Sequence, residues 1–477
     1  MFIKNIRVYQ TIGVFILAFI VIFGLLYLRN LSYLSRDLFW DESVYLSNSI
    51  SDLANMYWHP SRSKGILWFL WPLNIISSDF STVRLYFLII NSLLLSIVWF
   101  QLYKMWGLLA STISLSIALS FWQIQVFSAN LYPNSLTMTI SLLCIISFIR
   151  YHYSRTLLSL IVFILLSVVL FELRYAEAIC IVFSIALVMS ILHFSKNMII
   201  KNLIIFSVTG LLSITPFIIQ SLHEYSGVMN RIEVVMTKRN AKKKNKSPER
   251  LEHFRLLDGP MSAFDPDKKI STLGLIWLIG LLIFGLCSAV CFDLPYFKEF
   301  YLIGIVSIAF ILSLYVGWVS AVSMRYFLLV YLMLAILNGV LISFLLKNSS
   351  TSFNILGICI ILFYSVLSFT FHNKTFNDFQ DNYYTSLYQD VDKILSVLNI
   401  DRKKYKIYSR YNTPTCSVAT NILCYKDTLK DTEILCKIPK KDKRKRIAIY
   451  RSSLKFPCIE NYNIYSVTNK VNLLIEN

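Results

Sequence analysis

Long uncharged apolar runs recur along this chain, and they limit what it can fold into. The first, Gln10–Leu28, follows Lys4 and Arg7 and carries no charge. At a rise of about 1.5 Å per residue it is long enough to cross about 30 Å of hydrocarbon, and it lacks the small-residue cleavage site of a secretory signal. Because only 15% of the 477 residues are charged and 56% are hydrophobic, the sequence predicts an all-α polytopic membrane protein.

The apolar runs predict eleven membrane spans. Residues 157–194 would form a helix of about 57 Å, nearly twice the hydrocarbon thickness, so we expect this segment to break. The break should fall at Glu172–Glu177, whose three charges are costly inside a bilayer. A shorter piece, Gly65–Ile76, contains Pro72 and is expected to lie at the interface or to re-enter the membrane. The predicted spans are residues 10–28, 84–103, 107–128, 131–149, two within 157–194, 202–222, 271–292, 300–319, 326–346 and 353–371.

An odd number of spans puts the two termini on opposite sides of the membrane. With the N-terminus in the cytoplasm, the short inner loops carry Lys and Arg beside the spans, as the positive-inside rule requires. The loops 29–64 and 223–270 and the tail 372–477 then lie on the outer face of the inner (plasma) membrane. The basic run Lys238–Lys246 in the second loop runs against the rule, from which long loops are largely exempt.

The sequence divides into a membrane domain, residues 1–371, and a polar tail, residues 372–477. Apolar residues from Tyr384 to Leu398 recur at helical spacing and predict one amphipathic helix in the tail. Three short runs read as strands: Lys406–Arg410, Ile447–Ser452 and Asn463–Val467. We therefore expect the tail to be a small extracytoplasmic α/β domain.

The net charge of +19 is concentrated in two basic runs, with six basic residues of nine in Lys238–Lys246 and seven of ten in Lys437–Arg446. Both runs lie in hydrophilic regions beside a bilayer, so anionic lipid or lipid-linked phosphate is a better-fitting partner than nucleic acid. The alternative for each run is a solvated surface with no specific ligand.

Four of the nine cysteines fall in the polar tail, and no cysteine or histidine spacing resembles a zinc site. They would suit two disulfides in an oxidising compartment, or they stay as free thiols. These residues are Cys416, Cys424, Cys436 and Cys458.

A cluster of carboxylates follows the first span, where Asp37, Asp41 and Glu42 lie within Arg36–Tyr45. An ionised carboxylate can take the proton of a hydroxyl nucleophile, and Arg and Lys can hold a phosphate and stabilise its charge as it leaves. Such a mixture suits displacement of a phosphate by an acceptor hydroxyl, although proton-coupled transport uses the same residue types. The predicted topology places further polar residues on the same outer face, namely His59, Arg62, Lys64, Glu172, Arg174, Glu177, Asp258, Asp265 and Arg325.

The segment Trp40–Tyr45, soon after a first span, resembles the Asp-Glu motif in the first outer loop of GT-C fold glycosyltransferases. It is most similar to the superfamily of protein O-mannosyltransferases and aminoarabinose transferases, and the resemblance covers roughly residues 1–371. Ser61 departs from the family pattern, because a second proline usually follows the His-Pro pair. Further segments match in the same order: His59-Pro60 to Lys64-Gly65, Val83-Arg84-Leu85, Leu173–Ala178 and Met324-Arg325-Tyr326.

The resemblance implies transfer of a sugar, with inversion, from a polyprenyl-phosphate donor to an acceptor hydroxyl. It gives Asp41 the role of catalytic base and Glu42 a supporting role, and it places Lys64 against the donor phosphate. The other phosphate-binding candidates are Arg62, Arg174 and Arg325, and the remaining site candidates are His59 and Glu177. The acceptor stays open between a lipid-linked glycan, a glycolipid and a protein. No ligand spacing argues for a metal, so a divalent cation stays an open question.

The main alternative is a transporter or lipid flippase. Transporters commonly show paired repeats and interrupted helices with ionisable groups near the bilayer midplane. In this chain the charges gather at span ends on one predicted face, which favours the transferase. A non-catalytic membrane scaffold that presents the tail is a third alternative, and the oligomeric state stays open.

Overall fold

The chain is mostly helical in a computed structural model. The structure describes residues 2–34, 40–49, 58–59, 61–73, 80–193, 196–243, 254, 257, 270–317, 323–347, 350–377, 383–401, 405–409, 424–426, 445–451, 462–468 and 471–476. The helices are α1 (Phe2–Leu34), α2 (Trp40–Ser49), α3 (Gly65–Leu70), α4 (Phe80–Ser120), α5 (Trp122–Ala129), α6 (Pro133–Ser154), α7 (Leu157–Leu192), α8 (Lys196–Tyr225), α9 (Val228–Lys243), α10 (Thr272–Cys287), α11 (Phe297–Gly317), α12 (Leu328–Lys347), α13 (Thr351–Asn377) and α14 (Tyr383–Val397), with 3-10 helices at Ser288–Cys291 and Met324–Phe327.

Nine helices within the described ranges are long and apolar enough to cross a membrane, where the sequence predicts eleven spans. The difference arises because two predicted pairs of spans are each one element with a non-helical residue inside. Gly107 interrupts α4 with φ 87°, a conformation that glycine adopts without steric cost. Arg174 interrupts α7 with φ −158° and ψ 93°, so the predicted break at Glu172–Glu177 is confirmed. The chain is therefore a multi-pass membrane protein.

The structure comprises two compact units. The first consists of Met1–Leu31, Pro60–Gly65 and Tyr86–Phe379, and the second of Ser32–His59, Ile66–Leu85 and Gln380–Asn477.

Helix α12 forms the centre of the first unit. Almost all of its residues are buried, and it packs against α6, α10, α11 and α13. A helix that is apolar all round belongs in such a central position. Its buried Asn338 Nδ2 donates to the carbonyl oxygen of Leu281 on α10 at 3.0 Å, and the Tyr364 hydroxyl on α13 donates to Asn338 Oδ1 at 2.9 Å. These polar contacts fix the helices in a membrane interior that has no water to replace them.

A five-stranded sheet in the second unit accounts for the predicted α/β tail. Its strands are β1 (Tyr405–Ser409), β2 (Cys424–Lys426), β3 (Lys445–Arg451), β4 (Tyr462–Thr468) and β5 (Val471–Glu476), in the order β2-β1-β3-β5-β4. The pairs β1–β2 and β1–β3 are parallel, and β3–β5 and β4–β5 are antiparallel.

The predicted amphipathic helix of the tail is α14, which packs on this sheet. Its apolar residues Leu387, Val391 and Leu395 form one buried cluster with Ile407 of β1 and Ile447 of β3. The three predicted strands correspond to β1, β3 and β4, whereas β2 and β5 are additional. The disulfide question stays open, because the side chains of all four tail cysteines lie outside the described residues.

The region 223–270, predicted as a long loop, contains a helix. Helix α9 spans Val228–Lys243, a stretch without glycine or proline. The side chains of the basic run Lys238–Lys246 lie outside the described residues. The short helix α3 begins at Gly65, where the sequence predicts an interfacial or re-entrant segment.

Candidate functional site

Asp41 and Glu42 lie in the first turn of α2, in the second unit. Carboxylates at a helix N-terminus are stabilised by the helix dipole. The Glu42 side chain is fully buried and accepts a hydrogen bond from Arg84 Nη2 at 2.9 Å. Arg84 Nη1 donates to the carbonyl oxygen of Tyr33 at 2.9 Å, and the guanidinium lies 4.5 Å from the Tyr33 ring centroid. A buried charge requires such a partner, so Glu42 holds α2 in place.

Asp41, by contrast, is only half-buried, so the two adjacent carboxylates have different environments. Residues 42–48 of α2 are all buried, and the Tyr45 ring packs edge-on against Trp58 at 5.8 Å. His59 follows Trp58 and is half-buried. Helix α2 is therefore a buried support, and only its end residues Asp41 and Ser49 are half-buried among those whose burial is described. Asp37, Asp258 and Asp265 lie outside the described residues.

Lys64 belongs to the first unit and forms an ion pair with Glu224 in the last turn of α8. Each of the two side chains is 27% exposed. Gln220, one turn earlier on α8, donates from Nε2 to Glu224 Oε2 at 3.2 Å. The predicted phosphate-binding lysine thus has a carboxylate as its partner in this structure.

Arg231 on α9 is nearly fully buried beside this ion pair. Its Nη1 donates to Gln220 Oε1 at 3.1 Å and to Ser221 Oγ at 3.2 Å, and its Nη2 donates to the carbonyl oxygen of Arg62 at 3.2 Å. The guanidinium also lies 4.3 Å from the Phe217 ring centroid. Burial lowers the pKa of this guanidinium from its usual range, while neighbouring Tyr and Glu side chains act in the opposite direction. Arg231 therefore ties the segment that carries Lys64 to α8 and α9.

Gly65 brings the Lys64 segment against the break in α7. A Cβ atom at Gly65 would lie 2.5 Å from the carbonyl oxygen of Glu172 and 2.9 Å from its Cβ. Only glycine allows two backbone segments to approach this closely. Within the first unit, the structure therefore brings Gly65 against Glu172, two positions that the sequence singled out separately.

Replacing Gly65 with Ala is expected to destabilise the protein by about 1 to 3 kcal/mol, because the added methyl group must push one backbone segment away from the other. Gly24→Ala is the matched control, since a Cβ atom there would meet nothing within 4 Å. The measurement is thermal unfolding of both variants in detergent. Equal stability of Gly65→Ala and wild type would contradict the close approach.

The break in α7 carries a polar network around Arg174. The guanidinium pairs with the Glu177 carboxylate, Nη2 donates to the Tyr315 hydroxyl at 2.6 Å, and Nη1 donates to Asn134 Oδ1 at 3.3 Å. The buried Tyr315 hydroxyl in turn donates to Glu177. Arg174 is thus held in position by partners on α6, α7 and α11.

Arg325 adjoins this network through tyrosine rings. Its guanidinium lies 4.3 Å from the Tyr132 ring centroid and 5.3 Å from that of Tyr326. The Arg174 guanidinium lies 5.2 Å from the same Tyr326 ring, which stacks on Tyr315 at 4.5 Å. The first unit therefore brings the predicted residues Arg174 and Arg325 onto one aromatic surface.

Sequence reasoning did not single out several residues of these clusters. They lie inside apolar runs or in the predicted loop 223–270, and their partners are distant in sequence. They are Tyr132, Asn134, Gln220, Glu224, Arg231 and Tyr315.

The comparisons with known proteins give a match in structure only. No protein-family model and no curated protein sequence matches the chain. ArnT from Cupriavidus metallidurans in the apo state superimposes with a TM-score of 0.60 and 10% identity, over 99% of this chain and 98% of ArnT. ArnT from the same organism bound to undecaprenyl phosphate gives a TM-score of 0.62 and 10% identity, over 98% of each chain. The chain therefore has the fold of ArnT, the GT-C fold, over nearly its whole length.

Proposed function

We propose that the chain is a membrane glycosyltransferase that moves a sugar from a polyprenyl-phosphate donor to an acceptor hydroxyl with inversion. The observation that carries this proposal is the likeness in fold to ArnT along the whole chain, since one of the two ArnT structures holds undecaprenyl phosphate. The outer face of the inner membrane is the proposed location, with the N-terminus in the cytoplasm and the tail outside.

Asp41 is the proposed base. Its carboxylate takes the proton of the acceptor hydroxyl, whose oxygen then attacks the anomeric carbon from the side opposite the phosphate. The bond between the anomeric carbon and the phosphate oxygen breaks, and polyprenyl phosphate leaves. A single displacement of this kind inverts the anomeric centre. Glu42, fixed by Arg84, supports the helix that carries Asp41.

The cations of the first unit are the proposed ligands of the donor phosphate. A phosphodiester carries one negative charge and the departing monoester approaches two, so cations stabilise the transition state more than the ground state. Lys64 is the first of these ligands, and Arg62, Arg174 and Arg325 are the others. Their aromatic and carboxylate partners hold Arg174 and Arg325 in fixed orientations, which lowers the entropy lost when an anion binds.

The test follows the fate of the donor. The purified chain should release free polyprenyl phosphate from a polyprenyl-phosphate sugar labelled in the lipid, and release should depend on an added acceptor. Candidate acceptors are a lipid-linked glycan, a glycolipid and a protein, each offered separately. A flippase would move the intact donor across a vesicle membrane and release none, and this result would reject the transferase.

A further inference from the structure

The partner of Lys64 suggests how its contact with a phosphate is controlled. The ammonium group pairs with the Glu224 carboxylate, and both side chains are partly exposed. Ion pairs at such positions are weak, because solvent screens them and both side chains are flexible. The donor phosphodiester offers the same ammonium group as many unesterified oxygen atoms and as much charge as a carboxylate does, and the monoester of polyprenyl phosphate offers more of both.

The backbone around Lys64 is fixed on both sides, whereas the ion pair itself can open. Arg231 Nη2 holds the carbonyl oxygen of Arg62 at 3.2 Å, and Gly65 packs against the backbone of Glu172. The carbonyl end of the Gln220 amide accepts from Arg231, so its NH₂ group points to Glu224. Glu224 therefore keeps a hydrogen-bond donor when Lys64 turns to another anion.

We propose that Glu224 is a displaceable counterion of Lys64, which gives way to the donor phosphate and returns when polyprenyl phosphate leaves. This inference rests on the proposed function, because it requires Lys64 to bind the phosphate. Glu224 weakens phosphate binding through competition, and it speeds the release of a product that carries more negative charge than the donor. Glu224 is accordingly a positioning residue for Lys64, and Gln220 and Arg231 support it.

The test is a double-mutant cycle in which the affinity for undecaprenyl phosphate is measured. Undecaprenyl phosphate is titrated into the full chain in detergent, with uncharged undecaprenol as the ligand control. Because one partly exposed ion pair no longer has to open, Glu224→Gln should bind undecaprenyl phosphate about fivefold more tightly. Lys64→Gln should bind it at least about tenfold more weakly, since a charge-assisted hydrogen bond is lost. The Lys64→Gln/Glu224→Gln double variant should bind no more tightly than Lys64→Gln alone.

If Glu224 only stabilised the local structure, Glu224→Gln would bind undecaprenyl phosphate more weakly, because the substitution would disturb the binding site. Equal or weaker binding by both Glu224→Gln and Glu224→Ala overturns the inference while leaving Lys64 as a phosphate ligand. Tightening that persists in the double variant also overturns it, since the effect then does not act through Lys64. Wild-type affinity of Lys64→Gln for undecaprenyl phosphate would instead show that Lys64 does not bind the phosphate. The counterion role of Glu224 would then be rejected as well.

Two further variants keep the experiment decisive. Glu224→Ala removes the same charge with a smaller side chain, and we expect it to tighten the binding of undecaprenyl phosphate as well. Glu233→Gln on α9 is the matched control, because it deletes one carboxylate from an exposed position on the neighbouring helix. Its affinity should equal that of wild type. Tightening by Glu233→Gln equal to that of Glu224→Gln would mean that overall charge, and not the Lys64 pair, sets the affinity.

Discussion

Replacing Asp41 with Asn is expected to lower the rate of sugar transfer by about 100- to 10,000-fold, the contribution typical of a general base. Asn has nearly the same shape as Asp but cannot accept the proton of the acceptor hydroxyl at neutral pH. Because Asp41 is half-buried and the rest of α2 is anchored by Glu42, the variant should insert and fold as wild type does. The measurement is single-turnover release of polyprenyl phosphate, with thermal unfolding recorded on the same sample.

The control for this variant is Asp293→Asn, which makes the same chemical change at an exposed residue between α10 and α11. It should transfer sugar at the wild-type rate. Donor affinity should also stay unchanged in Asp41→Asn, because the proposed phosphate ligands are other residues. Turnover close to the wild-type rate in Asp41→Asn would show that another group removes the proton.

Breaking the buried pair of Glu42 and Arg84 is expected to have the largest effect on stability. Glu42→Gln removes the carboxylate that pairs with the Arg84 guanidinium, at a position that is 0% exposed for both side chains. Loss of one member of a buried ion pair costs about 3 to 5 kcal/mol, because the remaining charge stays buried. The expected result is a matching loss in the free energy of unfolding, measured by denaturant titration in mixed micelles.

Two comparisons separate the effect of breaking this buried pair from other effects of the substitution. Replacing both residues with Met should recover much of the lost stability, since a buried apolar pair of similar volume removes both desolvation costs. Asp390→Asn removes an exposed ion pair with Lys393 on α14 and should change stability little. If Glu42→Gln unfolds at the wild-type denaturant concentration, the pair does not hold α2.

The membrane helices could be predicted because a bilayer allows few alternatives. Inside lipid each backbone polar group must be satisfied within the element, so long apolar runs become helices. The break at Arg174 was also predictable, because three charges inside residues 157–194 cannot all lie in hydrocarbon. The break at Gly107 follows Lys104, a charge that marks the end of a span. What local sequence cannot decide is whether such a break separates two helices or interrupts one.

Strands β2 and β5 were missed because their conformation depends on neighbours that are distant in sequence. Strand β5, Val471–Glu476, is only six residues long and is placed by its pairing with β3 and β4. The tendency to form a strand reflects packing on a sheet more than an intrinsic preference of the backbone. The same holds for β2, whose three residues pair only with β1 among the described strands.

The sequence supplies candidates for the site, whereas their partners form pairs that are distant in the chain. The motif around Asp41 and the residue Lys64 could be proposed as candidates, because short segments resemble a known family in order and spacing. Arg84 stood in one of those segments, yet its contact with Glu42 spans 42 positions. The pair of Lys64 and Glu224 spans 160 positions. Charge patterns within one segment carry no information about such partners.

The central position of α12 constrains how this protein is made. The chain is synthesised from the N-terminus, so α6, α10 and α11 enter the bilayer before α12, the helix on which they pack, has left the ribosome. Until then the faces that pack on α12 meet lipid or helices that were inserted earlier. Ribosome-stalled chains that end before Leu328 should therefore be sensitive to membrane proteases, and resistance should rise sharply once Lys347 has been inserted. Biogenesis of this protein is thus expected to depend on a late step, the insertion of α12, that gives the earlier helices their common partner.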